Sequence, residues 1–257
     1  MPPRGVVDVG QAGGGVQNWW DSLPRITRFM AAACFLTTLG SYLGLVNPWS
    51  IVIIRPKIFQ EYQVWRLVTN HFFIGPFGMK FLFNMIWLLQ YGKILETQTY
   101  MFAPADMVFM LLFCGISLSL MALAFPFLGL FTCASALIFC LIYLYSRHFP
   151  TQQVSIMGLF QVQSFYLPFA FLGITVVLGG DPKPDVCGII VAHLYYWLTE
   201  LYPTQAGRPS LLPTPQWLKV MVSNMGIGPP LRPADATPAG FSAFRGTGRR
   251  LGDQHQD

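Results

Sequence analysis

A hydroxyl, an imidazole and a primary amine stand inside stretches otherwise dominated by apolar residues. Ser135 lies in Cys133-Ala134-Ser135-Ala136-Leu137, His193 in Ala192-His193-Leu194, and Lys80 in Gly78-Met79-Lys80-Phe81. A serine activated by a histidine is the usual start of acyl transfer, because the imidazole takes the proton that keeps the hydroxyl a weak nucleophile. Metal chemistry has less to work with. The five cysteines, Cys34, Cys114, Cys133, Cys140 and Cys187, form no CxxC pair and no Cys/His cluster with zinc spacing. They read as small buried hydrophobes, and no metal or cofactor is expected.

Lys80 has two readings. An ammonium at membrane depth is costly unless it snorkels to the headgroups or faces water. It either snorkels from the end of an apolar helix or lines a hydrophilic cavity with Asn70, His71 and Asn84; the sequence favours neither.

These residues need helices in lipid to position them. Of the 257 residues, 53% are hydrophobic and 11% charged, where soluble domains carry about 25% charged residues. Met107 to Tyr145 holds no charge at all, and the net charge of +5 comes from the flanks. Nucleic-acid binding would need a basic face with stacking aromatics, which the apolar middle does not offer. The first residues lack a basic n-region followed by an apolar h-region, so the first apolar run is expected to serve as an uncleaved signal anchor.

A bilayer core of about 30 Å needs about 20 helical residues. Six runs come near that length: Ile26 to Val46, Phe77 to Leu95, Asp106 to Phe125, Leu128 to Tyr145, Phe165 to Leu178, and Val186 to Leu201. Asn47-Pro48, Pro104, Phe125-Pro126 and the Gly179-to-Pro184 loop separate them, and Pro203 is expected to stop the sixth. An even number of spans puts both termini on one side. Arg25, Arg28, Lys93, Arg147, Arg208 and Lys219 assign that side to the cytosol. Trp49 to Arg66 mixes aromatics with Arg and Lys, a composition suited to the headgroup layer. Beyond Pro203 the chain is rich in Pro, Gly, Ala and Ser and reads as mostly disordered. One patch there, Thr214 to Val222, suits a short amphipathic helix on the membrane.

One ordered set of residues is more specific. It runs Trp65-Arg66, Thr69, then Gly78 to Asn84 ending in Phe83-Asn84, then Gly92 and Glu96. This resembles the rhomboid proteases. The fork of Arg66 suits backbone carbonyls and phosphate, and Asn84 needs a partner from another helix. The departures bear on chemistry. Those proteases carry a His four residues before that Asn, where this chain has Lys80. Their nucleophile is the Ser of Gly-x-Ser-Gly, and the matching stretch, Gly129-Leu130-Phe131-Thr132, puts Phe131 there. His193 resembles their base, but a base without a nucleophile does no acyl transfer. It is expected to hydrogen-bond to a neighbour in the bundle. Ser135, four residues on from Phe131, shares its helix face about 6 Å deeper.

Further segments resemble the derlins, rhomboid-like pseudoproteases, in a pattern nearest the plant and algal ones. They are Ala105-Asp106, Tyr166-Leu167-Pro168, His193 to Tyr196 followed by Tyr202-Pro203, and Leu212 to Leu218. The derlin Gly-x-x-x-Gly-His becomes Gly188 to Ala192-His193, which keeps a small-xxx-small spacing for helix packing. Phe244, Gly246, Gly248 and Leu251 fit Phe-x-Gly-x-Gly-x-x-Leu, similar to the box that recruits an AAA unfoldase, valosin-containing protein.

The resemblance implies an all-α, six-transmembrane rhomboid-like bundle over 25–202, after a cytosolic segment 1–24 and before a cytosolic tail 203–257. It implies a non-enzyme of the endoplasmic reticulum membrane, working in ER-associated degradation. Its expected partners are the unfoldase, a membrane ubiquitin ligase, misfolded clients and lipid, with homo- or hetero-oligomers left open. The rival class is an active intramembrane serine protease. A transporter is disfavoured, because no inverted repeat or paired broken helices are visible.

Overall fold

The computed structural model describes residues 11–228 apart from 157, 159, 208 and 209. The chain begins with α1 (Gln11–Asp21) and α2 (Arg25–Tyr42). Three short helices follow, α3 (Pro48–Ile51), α4 (Arg55–Gln60) and α5 (Arg66–Thr69), then α6 (Met79–Ile94), α7 (Pro104–Ala124) and α8 (Ala134–His148). A hairpin of β1 (Gln153–Ile156) and β2 (Phe160–Gln163) leads to α9 (Leu167–Val177), α10 (Lys183–Tyr196), α11 (Tyr202–Ala206) and α12 (Gln216–Asn224).

Six helices, α2 and α6 to α10, overlap the six apolar runs. Among the described residues, α7 alone is both long and apolar enough to cross a membrane by itself. The centre of the bundle is α8, in which every residue from Ala134 to Ser146 is buried. It packs on α10, α6, α9 and α7, so its uniform apolarity reflects burial on all sides.

Gly188 sets how closely α8 and α10 approach. A Cβ there would fall inside the carbonyl oxygen of Ala136, with the Cβ of Phe139 3.0 Å away. Only a residue without a side chain fits, and Ala192, one turn on, is fully buried. Across the bundle Trp87 of α6 stacks on Phe171 of α9, with ring centroids 4.3 Å apart and planes 11° from parallel.

Three sequence expectations need correction. The all-α reading omits the hairpin, whose antiparallel register pairs Val154 with Val162 and Ile156 with Phe160. The first helix ends at Tyr42, short of Val46, where Gly44 takes a left-handed φ of 71°. Pro203 does not stop the sixth helix. The backbone widens to a π-helix over Trp197–Leu201 and runs on into α11. The widened π turn before it makes room for the proline ring and its missing N–H, and the run ends at Gly207 with φ 60°. In the tail, α12 overlaps the Thr214-to-Val222 patch expected to be helical, and it docks on α7.

Candidate functional site

The residues that carry the sequence pattern are tied into the framework. Arg66 is buried, its guanidinium donating to the carbonyls of Trp49 and Val52 (2.9 Å for Val52) and to Gln63 Oε1 at 2.7 Å. It gathers the segment between α2 and α6 around one cation whose charge is spread over several acceptors. Around it, Trp49, Phe59, Tyr62, Val64 and Trp65 are exposed, a surface suited to the headgroup layer.

Gly92 and Glu96 serve the contact of α6 with α2. The first turn of α2 has no side-chain cap of its own, since Pro24 stands at its N-cap. The Glu96 carboxylate supplies one from the π-helical turn after α6, accepting from Ile26 N at 2.9 Å, Thr27 N at 2.8 Å and Thr27 Oγ1 at 2.7 Å. A carboxylate at a helix N-terminus satisfies orphan N–H groups and complements the dipole. Gly92 lets the backbones close up, as a Cβ there would lie 3.0 Å from Thr27 Cγ2.

The four polar residues expected to share a cavity are divided. Asn70 and His71 are buried in the framework. Asn70 Nδ2 donates to the carbonyls of Arg66 and Leu67, at 2.7 and 2.8 Å. His71 Nε2 lies 3.0 Å from Gly115 O of α7. Burial lowers the His71 pKa, with the backbone contacts opposing it, which favours a neutral ring at neutral pH. Lys80 and Asn84 do line a cavity of about 310 Å³. It lies where α6 begins and α9 ends, with Trp87, Phe83 and Ile74 as apolar wall and Thr175, Gly179 and Gly180 opposite. Asn84 Nδ2 donates to Lys80 O at 2.8 Å, while its Oδ1 is buried without a partner.

Asp185 escapes sequence reading because it stands in a charged, proline-rich loop pattern. The first turn of α10 carries it inward, where it is 1% exposed. Neither carboxylate oxygen completes a hydrogen bond. Its polar neighbours are Lys80, Thr175 and Ser135, each from a different helix. The available signal was its place three residues before the Gly188 contact, since residues three apart share a helix face.

Ser135 and His193 do not meet. His193 lies on the outer face of α10, with Nδ1 2.6 Å from the hydroxyl of Tyr143. Tyr143 is eight residues along α8 from Ser135, about 12 Å at the helical rise. The hydroxyl that could attack and the imidazole that could activate it therefore occupy different depths. Phe131 is 60% exposed and precedes α8, so Gly129 to Thr132 forms a loop and not the first turn of a helix. Its carbonyl accepts from Ile53 N at 2.9 Å, pinning that loop to the segment after α3. All five cysteines are buried and free. Among the described residues no three His, Cys, Asp or Glu side chains cluster to hold a metal. The box residues Phe244, Gly246, Gly248 and Leu251 lie outside the described residues.

A family model described as the Der1-like family matches residues 23–216. The chain belongs to the Der1-like family. It is 37% identical to Derlin-1 of Oryza sativa subsp. japonica over 238 residues, covering 91% of this chain and 97% of the relative. It is 37% identical to Derlin-1 of Arabidopsis thaliana over 235 residues, covering 90% and 85%. Against Derlin-2 of Oryza sativa subsp. japonica the identity is 31% over 220 residues, covering 82% and 88%. Derlins are rhomboid-like, non-protease membrane proteins associated with the endoplasmic reticulum and its degradation pathway. The separation of Ser135 from His193 agrees with that non-protease character.

Proposed function

We propose that this derlin crosses the ER membrane six times with both termini in the cytosol, and helps misfolded proteins leave the lumen without cutting them. The observation that carries the reading is the cavity between α6 and α9. It places Lys80, Asn84 and Thr175 on an otherwise apolar wall, with the unpaired Oδ1 of Asn84 buried behind the surface. An unsatisfied peptide group in hydrocarbon costs several kcal/mol, and a wall that presents donors and acceptors at that depth reduces the cost for a client backbone. Phe131 at the position matched to the rhomboid nucleophile fits a scaffold that binds without reacting.

The unfoldase supplies the pulling force in this scheme. Phe244 and Leu251 fill apolar pockets on valosin-containing protein, and Gly246 and Gly248 let the backbone lie close. A membrane ubiquitin ligase marks the client on the same face. The test is affinity purification from mild detergent, comparing the natural sequence with the double variant Phe244→Ala, Leu251→Ala. The natural protein is expected to bring down the unfoldase and a ligase, and the double variant the ligase alone. Failure of the natural protein to bring down either partner overturns the adaptor role.

A further inference from the structure

The helix α12 carries more apolar surface than the protein covers. At 3.6 residues per turn its side chains fall into three sectors. Leu218 and Val222 face α7 and are buried against Ala105, Val108 and Phe109. Gln216, Lys219 and Ser223 make a polar sector. The third sector holds Trp217, Val220, Met221 and Met225, exposed at 63%, 42%, 39% and 57%, with Asn224 its one polar residue, in the last turn. A helix in water with one protein neighbour needs two sectors, apolar toward the protein and polar away from it. A third, apolar and open, calls for a further apolar phase.

Contacts at both ends fix where that sector lies. Arg25 Nη1 donates to the carbonyls of Met225 and Gly226, at 3.1 and 2.9 Å, closing the C-terminal end of α12 onto the start of α2. Thr214 Oγ1 donates to Asp106 Oδ1 at 2.6 Å, tying the approach to α12 to the first turn of α7. At Gly228 a Cβ would run into Pro104. The helix is thus held at the level of Pro104 to Phe109, the end of the helix that is long and apolar enough to cross a membrane. Beside that end Met101 and Phe102 are exposed at 57% and 81%.

We propose that α12 is an interfacial helix, with Trp217, Val220, Met221 and Met225 in the headgroup boundary of the leaflet at the N-terminal end of α7. The occupant is lipid because α12 docks on the start of α7, the helix long and apolar enough to cross a membrane, beside the exposed Met101 and Phe102. The tryptophan fits the boundary, where an amphipathic ring has both its phases, and Lys219 faces the water and phosphate side. One consequence is mechanical. Residues after 228 leave from a point seated on the membrane, so a pull on the tail is taken up by α12, α2 and α7. The inference rests on membrane insertion of α7 and not on the degradation role.

The test uses the full chain in phospholipid vesicles. Because the five native cysteines are buried, Met221→Cys and Met225→Cys give single reactive positions for an environment-sensitive fluorophore. Gln216→Cys gives the polar-sector reference. Lipids carrying a nitroxide high on the acyl chain are expected to quench the labels at 221 and 225 several-fold more than the label at 216. Iodide in the water should do the reverse. Equal iodide quenching at all three positions would mean a solvated face and overturns the proposal. So does protection of 221 and 225 from both quenchers, which would place a second copy or another protein on that sector.

Discussion

Glu96 caps a helix that is not its own: its carboxylate takes both the backbone N–H and the hydroxyl of Thr27, at 2.8 and 2.7 Å. Hydrogen bonds to a charged group contribute roughly 1.5–3 kcal/mol each, and they are not additive within one cluster. Glu96→Ala is therefore expected to lower stability by about 3 kcal/mol, seen as a fall in Tm in detergent. Glu61→Ala, at an exposed position, should leave Tm nearly unchanged. Equal Tm values for the two variants would remove the cap from the account of the fold.

The absence of acyl-transfer chemistry is tested with a serine-directed fluorophosphonate. His193 is engaged by Tyr143 about 12 Å along α8 from Ser135, so no labelling is expected at any pH from 6 to 8. Labelling that is lost in Ser135→Ala would restore the protease reading.

Asp185 sets two effects against each other. A carboxylate in the first turn of α10 gains about 0.3–1 kcal/mol from the helix N-terminus. Its oxygens are buried without hydrogen bonds, which costs several kcal/mol for a charged group. The second effect is larger, so Asp185→Asn is expected to raise Tm. Lys80 opposes the burial cost by its charge, so Lys80→Met should lower Tm in the natural background and much less beside Asp185→Asn. Additive effects of the two substitutions would mean that Lys80 points away to the headgroups.

What the sequence revealed follows from which signals are local. Apolar runs gave the places of six helices, because chain length and hydropathy act residue by residue. The pattern of Arg66, Gly92 and Glu96 was legible as a set, yet its purpose was not. Only the fold brings Glu96 to Thr27, 69 residues away. Pro203 misled because the π-helical turn before it accommodates a proline that an α-helix interior would not. Asn70 and His71 misled for a related reason. Asn70 Nδ2 turns back onto the carbonyls of Arg66 and Leu67 in α5, and His71 reaches Gly115 O of α7. Asp185 was hidden by the loop composition around it.

The depth of the bundle leads to the last prediction. The fifth and sixth apolar runs, Phe165 to Leu178 and Val186 to Leu201, are the shortest of the six, and the two fare differently in the fold. The sixth is not short: α10, the π-helical turn and α11 run from Lys183 to Ala206, about 35 Å. The fifth is short. Its helical run, Ser164–Val177 with the 3-10 turn included, reaches about 21 Å, against a hydrocarbon core near 27 Å in the ER. In the proposed six-span arrangement tilting shortens its reach further, so lipid beside α9 thins or polar groups snorkel toward it. The exposed Val176, Val177 and Leu178 at one end of α9 carry no snorkelling group of their own, which favours thinning beside them. The cavity with Lys80 and Asn84 ends at the same three residues' end of α9. We predict that the membrane is thinnest where a polar backbone is offered its first partners. Lengthening α9 by one apolar turn should slow degradation of a misfolded luminal client in cells lacking the natural protein, while the variant stays inserted and still binds the unfoldase. Normal degradation by such a variant would show that the short helix does not assist transfer.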